Sequence, residues 1–356
     1  PASADWRQVR ERSRGSVTPV LRGCLLALPA LLLFTGLLAS ADLIFAHYVQ
    51  ELVALRLLRD LVQQGWRGVG TLCVGWLAAG GLAYALQRRE RAKGEGALEQ
   101  VTSALQRTFA LGWVETAIIL ASVDLLFLAF VAIQFTYLFG GQANVTLQGF
   151  TYAEYARRGF AELVTVAILA LGLILGLAWL SRRDTSPRRI AFNALGSAMV
   201  ALVLCMLASA FQRMRLYEAT YGYTELRLYV YTLMIWLGVA LLWFGATLWR
   251  WNGRFAVGAF VAALGFLISL NAINPDAFIA RQNLARFEQT GKVDAEYLTT
   301  LSEDAMPALL QGGEALPEIE AHLAERRRSL EASALWRRLP AWNLGRWQAY
   351  EALQGW

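Results

Sequence analysis

The segment TYAEYARRGFAEL (residues 151–163) runs straight into VTVAILALGLILGLAWL (residues 164–180), and this pair decides the fold class. A membrane-spanning helix needs roughly 20 mostly apolar residues. The apolar run has that length once the helix entering it is included. Thr151 and Glu154 form a capping box, in which the hydroxyl caps the Glu154 amide and the carboxylate reaches back. With no Pro before Pro187, one helix over 152–180 is expected. At 1.5 Å per residue it would be ~43 Å long against a hydrocarbon core of ~30 Å. Its first turns therefore stand above the membrane, where Glu154, Arg158 and Glu162 stack four apart with alternating sign.

Six more stretches reach spanning length: about 22–43, 67–87, 112–138, 189–211, 226–249 and 255–273. With 56 % hydrophobic and 17 % charged residues, the chain lacks the polar stripes of a soluble helical domain. The expected fold is all-α, a polytopic integral membrane bundle of about seven spans with a small C-terminal helical appendage. Residues 1–273 form the bundle and 274–356 a helical-hairpin domain.

Short-loop Lys and Arg set orientation. With the N-terminus cytoplasmic, 16 of them fall on the inner side and 8 on the outer. Seven spans then put the C-terminal domain outside. The net charge of +6 follows from this asymmetry, because residues after Asn274 hold 9 basic and 12 acidic side chains. Nucleic acid is not needed as a partner to explain it.

Catalytic signatures are missing from the pattern. The two His, His47 and His322, cannot supply a zinc triad. Cys24, Cys73 and Cys205 fall inside expected spans as small hydrophobes. Neither a phosphate-binding loop nor a dinucleotide fingerprint occurs. The reading carries no cofactor, no metal and no enzymatic activity.

Polar residues gather on the expected outer face instead. RMRLYEATYGYTELRLYVY (residues 213–231) supplies Arg213, Arg215, Tyr221 and Arg227, with Gly222 as the turn and Thr224 as a cap. LNAINPDAFIARQN (residues 270–283) adds Asp276 and Arg281, and Asn274-Pro275-Asp276 is a strong helix start. Together with Glu154, Arg158 and Glu162 these residues are expected to form one network. Asp42 ends the first span on the same side.

Within the third span, Glu115 lies near the inner end and Asp124 near the middle. A mid-membrane carboxylate is costly and faces a partner group or a water-filled path. As a structural residue Asp124 pairs with a hydroxyl, amide or Arg; as a transport residue it needs a hydrated route. Gln134 extends the polar stripe.

After the seventh span, helices are expected to about Gln289, over residues 295–301, from a Ser302 cap, and over 316–339. Trp336, Trp342 and Trp347 are the expected small core of that domain. Residues 47–66 read as an amphipathic surface helix.

FTYLFGG, TYAEYARRGFAELV, RMRLYEATYGYTELRLY, NPDAFIARQN and VDAEYLTTLSEDAMPAL occur in this order. Over about residues 20–312 the chain resembles the bacterial multi-pass membrane family called domain of unknown function 4173, related to 4153. The resemblance implies an integral protein of the bacterial inner (cytoplasmic) membrane, with further N-terminal spans in full-length members, and supplies no catalytic residues. Besides a membrane enzyme acting on lipid-linked substrates, which the acids and arginines of the outer interface would serve, two functions compete. One is a non-enzymatic signalling, assembly or accessory subunit, whose outer face and tail bind a membrane-protein partner amid membrane lipids. The other is an ion- or solute-translocating transporter or channel using Asp124.

Overall fold

In the computed structural model the described residues are 6–54, 111–138, 159–181, 185–250, 254–312, 316–332 and 344–354. Among them the chain is an all-α membrane helix bundle with further helices. The elements are α1 (Trp6–Ala41), α2 (Leu43–Ala54), α3 (Trp113–Leu138), α4 (Phe160–Leu180), α5 (Ser186–Tyr221), α6 (Glu225–Trp249) and α7 (Phe255–Ile273). They continue with α8 (Pro275–Thr290), α9 (Ala295–Thr299), a 3-10 turn (Glu303–Ala305), α10 (Met306–Gly312), α11 (Pro317–Ala332) and α12 (Leu344–Gln354). Six of these are long and apolar enough to cross a membrane: α1 from Thr18, then α3, α4, α5, α6 and α7. The expected span over 67–87 lies outside the described residues.

The chain divides into two compact units, Pro1–Ala210 with Leu241–Phe255, and Phe211–Ala240 with Ala256–Trp356. Within the first, α1 and α3 run parallel. Gly23 approaches Glu115 and Ile118, Phe34 meets Phe127 edge-on at 5.0 Å, and Phe45 meets Phe130 at 5.1 Å. A Cβ on Gly23 would come within 2.9 Å of Ile118 Cδ1, so the glycine permits the crossing. Because the two helices share a direction, Asp42 and Gly112 stand at opposite ends of the pair. Asp42 is buried and its carboxylate accepts from the amides of Ile44 and Phe45, which caps α2.

The remaining spans alternate. The Leu111 amide donates to Leu180 O at 3.2 Å, joining the start of α3 to the end of α4. Gly196 of α5 packs on Ile174 of α4. Asn193 Nδ2 donates to Leu248 O at 2.5 Å, and Trp249 Nε1 to Ser197 Oγ at 2.8 Å, so α5 and α6 are antiparallel.

The structure corrects the long helix expected over 152–180. Gly159 has φ 92°, in the left-handed region that only glycine adopts freely, and α4 begins after it. At 21 residues α4 is about 31 Å long, which matches the hydrocarbon core. Cys24 and Cys205 are exposed on the flanks of their spans and do not act as buried filler; Cys73 lies outside the described residues.

In the second unit Trp236 of α6 lies flat on Gly265 of α7 and donates to Ser269 Oγ at 3.0 Å. The core of the C-terminal helices is aliphatic, built from Ile279, Leu284, Leu298, Met306, Leu309, Ile319, Leu323 and Leu353. Trp347 is 41 % exposed and does not supply the core expected of it; Trp336 and Trp342 lie outside the described residues. Leu228 of α6 belongs to the same core, with Tyr223 packed against it.

A Cβ on Gly265 would overlap the Trp236 ring. Gly265→Val should therefore destabilise the protein by about 1–3 kcal/mol through overpacking. Ser269→Ala removes one hydrogen bond and should cost about 1 kcal/mol. Thermal unfolding in mild detergent checks both, with the larger fall in Tm expected for Gly265→Val.

Candidate functional site

The site is built on the turn between α5 and α6. An α-helix ends with carbonyls that have no partner within it. The Gly222 amide donates to Glu218 O at 2.7 Å, and Gly222 turns the chain with φ 78°. The Arg286 guanidinium from α8 donates to the carbonyls of Ala219 and Thr220, with Nε at 3.2 Å from the first. A cation at a helix C-terminus also complements the helix dipole. Arg227 reaches back from α6 to donate to Gly222 O, and its guanidinium lies 4.3 Å from the centre of the Tyr217 ring. Tyr221 in turn packs against Tyr217, with the ring centres 5.0 Å apart and the planes tilted by 58°.

Asn283 fastens the turn to α8. Tyr223 N donates to Asn283 Oδ1 at 2.8 Å, and Asn283 Nδ2 donates to Tyr223 O at 2.9 Å. A side-chain amide thus satisfies both backbone groups of one residue, as a neighbouring strand would. A Cβ on Gly222 would stand 2.5 Å from Asn283 Oδ1, so glycine is required for space as well as for φ.

Around the clasp, Tyr231 Oη donates to Glu218 Oε2 at 3.3 Å. Burial and then the Glu218 carboxylate push the Tyr223 phenol up to about 12, while Arg215 acts in the opposite direction. The Glu225 amide donates to Tyr297 Oη at 3.0 Å. Asp276 Oδ2 accepts from both the amide and the hydroxyl of Ser302. Ser302 therefore serves Asp276 and makes no side-chain cap on the following 3-10 turn. Asn274 does cap α8, accepting from the Ala277 amide, with Pro275 in the first position.

Of the residues singled out from the sequence, Arg215, Tyr221, Arg227 and Asp276 surround this turn. Arg213 is buried in α5, and Arg281 is exposed on α8. Glu162 belongs to the other unit, on α4 beyond the break at Gly159. Glu154 and Arg158 lie outside the described residues. Asn283, Arg286 and Tyr297 were missed. Asn283 carried a legible signal: it is the one polar position on a buried stripe of α8 that also holds Ala280 and Leu284.

Asp124 lies among the fully buried Leu120, Val123 and Phe127 of α3 and is itself 8 % exposed. Neither of its carboxylate oxygens has a hydrogen-bond partner among the described residues, and Gln134 Nε2 has none either. Glu115, also buried, faces Arg22 of α1 at 3.8 Å. Among the described residues no group of three or more His, Cys, Asp or Glu could hold a metal ion.

The family model for a domain of unknown function (DUF4153) matches residues 1–312. The chain belongs to this family. It is the second of the two related families named from the motifs. The DUF4153 match takes in every residue of the α5–α6 turn and its partners on α8 and α9. No curated protein and no solved structure matches the chain.

Beyond the turn, Glu303 joins two helices of the C-terminal core. Its carboxylate pairs with Arg326 of α11 and, at 3.4 Å, with Arg346 of α12. Burial alone would raise its pKa, but its backbone amide and the two guanidinium groups outweigh burial and hold it below the usual value.

Two measurements test these contacts. Asn283→Ala strands the amide and carbonyl of Tyr223 and should cost about 1–3 kcal/mol. Faster hydrogen exchange confined at first to residues 222–225 is the expected sign. A lowered folded-state pKa means that the Glu303 pairing stabilises the fold above the unfolded value of 4.5 and is lost as pH falls through the folded value. Glu303→Gln should therefore melt below wild type at neutral pH, and the gap should close under acid conditions.

Proposed function

We propose that this DUF4153 protein is a non-enzymatic component of the bacterial cytoplasmic membrane, a signalling, assembly or accessory subunit. Its N-terminus is cytoplasmic, and residues 274–356 form an extracytoplasmic helical domain that binds a membrane-protein partner. One observation carries this reading. The motif side chains around the α5–α6 turn are engaged with the chain's own backbone, as in the paired hydrogen bonds of Asn283 to Tyr223. Such a constellation holds a platform in place and leaves little reactive chemistry exposed. The excess of inner-side Lys and Arg supports the orientation, and the motif order supports kinship with the related family 4173.

A second reading, translocation of an ion or solute, rests on the two Asp124 oxygens that have no partner among the described residues. A buried ionisable group without a partner is a functional hypothesis in a membrane.

One set of experiments separates the readings. A cysteine introduced at the exposed position Glu318, in a background lacking the native thiols, is treated in intact cells with a membrane-impermeant crosslinker. Crosslinking to a second protein is expected. An unreactive thiol would reverse the orientation, and a reactive thiol on a chain that migrates alone would remove the partner. Cation- or proton-driven flux in liposomes that Asp124→Asn abolishes would establish the second reading instead.

A further inference from the structure

A groove runs where the end of α7 meets α8, α10 and α12. Two adjoining clefts of about 410 and 660 Å³ share Asn274, Asp304 and Gln348. Each falls in the size range of small-molecule sites. The smaller is bounded by Leu270 and Asn271, on the last turn of a spanning helix, so it opens where hydrocarbon gives way to lipid headgroups.

An apolar track leads out of it. Leu267 precedes Asn271 by one helical turn, and Leu264 lies about one turn further back. Ile268 precedes Ala272, which lines the larger cleft, by the same interval. Leu264, Leu267 and Ile268 are all exposed. A polar cleft at the headgroup level continued by an apolar stripe into the bilayer has the shape of an amphiphile.

The charges select its head. The larger cleft holds one cation, Arg281, and two acids, Asp304 and Glu351. A guanidinium presents a planar fork of donors suited to a phosphate. Carboxylates suit a primary ammonium, which offers three N–H donors. A quaternary ammonium instead favours an aromatic cage, and among the described lining residues Tyr229 is the single aromatic. A purely anionic head would face two like charges for one opposite.

The geometry points to a binding site for one phospholipid with a phosphoethanolamine head. Its phosphate lies at Arg281, its ammonium between Asp304 and Glu351, and an acyl chain along Leu267 and Leu264. This site does not depend on the partner-binding reading.

Native mass spectrometry of the full chain tests it, after equilibration with micelles holding equal amounts of phosphatidylethanolamine, phosphatidylcholine and phosphatidylglycerol. Phosphatidylethanolamine should be retained about tenfold over either competitor, the scale of one charge-assisted hydrogen bond. Arg281→Gln should remove most of that retention. Glu351→Gln, at an exposed position, should shift preference toward phosphatidylglycerol while leaving the lipid-free Tm unchanged. Equal retention of the three lipids, a preference for phosphatidylglycerol in the wild type, or unaltered selectivity in Glu351→Gln would overturn the assignment.

Discussion

The paired hydrogen bonds between the Asn283 side-chain amide and the backbone of Tyr223 fix the turn on which the rest of the second unit is organised. A turn joining two long apolar helices has backbone groups that neither helix can satisfy, and lipid offers them nothing. The chain answers with side chains from α8. Asn283 takes the turn itself, Arg286 takes the last carbonyls of α5, and Tyr297 of α9 takes the first amide of α6. These contacts tie α8 and α9 to the α5–α6 link. The aliphatic core then closes over Leu228 and Tyr223 together with the C-terminal helices.

The polar groups around the turn and the Asp124 carboxyl are handled in opposite ways. Around the turn and in the C-terminal core, charged groups are satisfied by polar groups of the same chain: Arg227 by Gly222 O, Asp276 by Ser302, Glu303 by Arg326 and Arg346. Such contacts hold position and leave few donors or acceptors for a substrate. Asp124, in contrast, is buried among apolar neighbours without a hydrogen-bond partner among the described residues. A carboxylate in that setting stores the cost of its burial.

The spans were legible because their signal is local: apolar runs of bilayer length recur six times among the described helices, within a few residues of the expected bounds except for α5, which continues ten residues past the expected end to Tyr221. The start of α8 was legible for the same reason, since Asn274 and Pro275 adjoin in sequence and Asn274 caps the Ala277 amide three residues on. At the entry to α4 the local rule failed, and glycine was the cause. The capping box at Thr151 and the lack of proline argue for one helix to Leu180, yet Gly159 adopts a conformation that periodicity does not report.

The sequence by itself determined the all-α membrane class, the alternating spans and the segments that carry polar residues, because hydrophobic length and helix caps are set by neighbours in the chain. Only the tertiary structure decided what those polar residues do. Asn283 meets Tyr223 across 60 residues, and Ser302 meets Asp276 across 26. Nothing in the local pattern distinguishes a side chain that caps its own helix from one that serves another. Ser302 looked like a cap and became the partner of a distant carboxylate, because a hydrogen bond is satisfied by whichever group the fold brings within 3 Å.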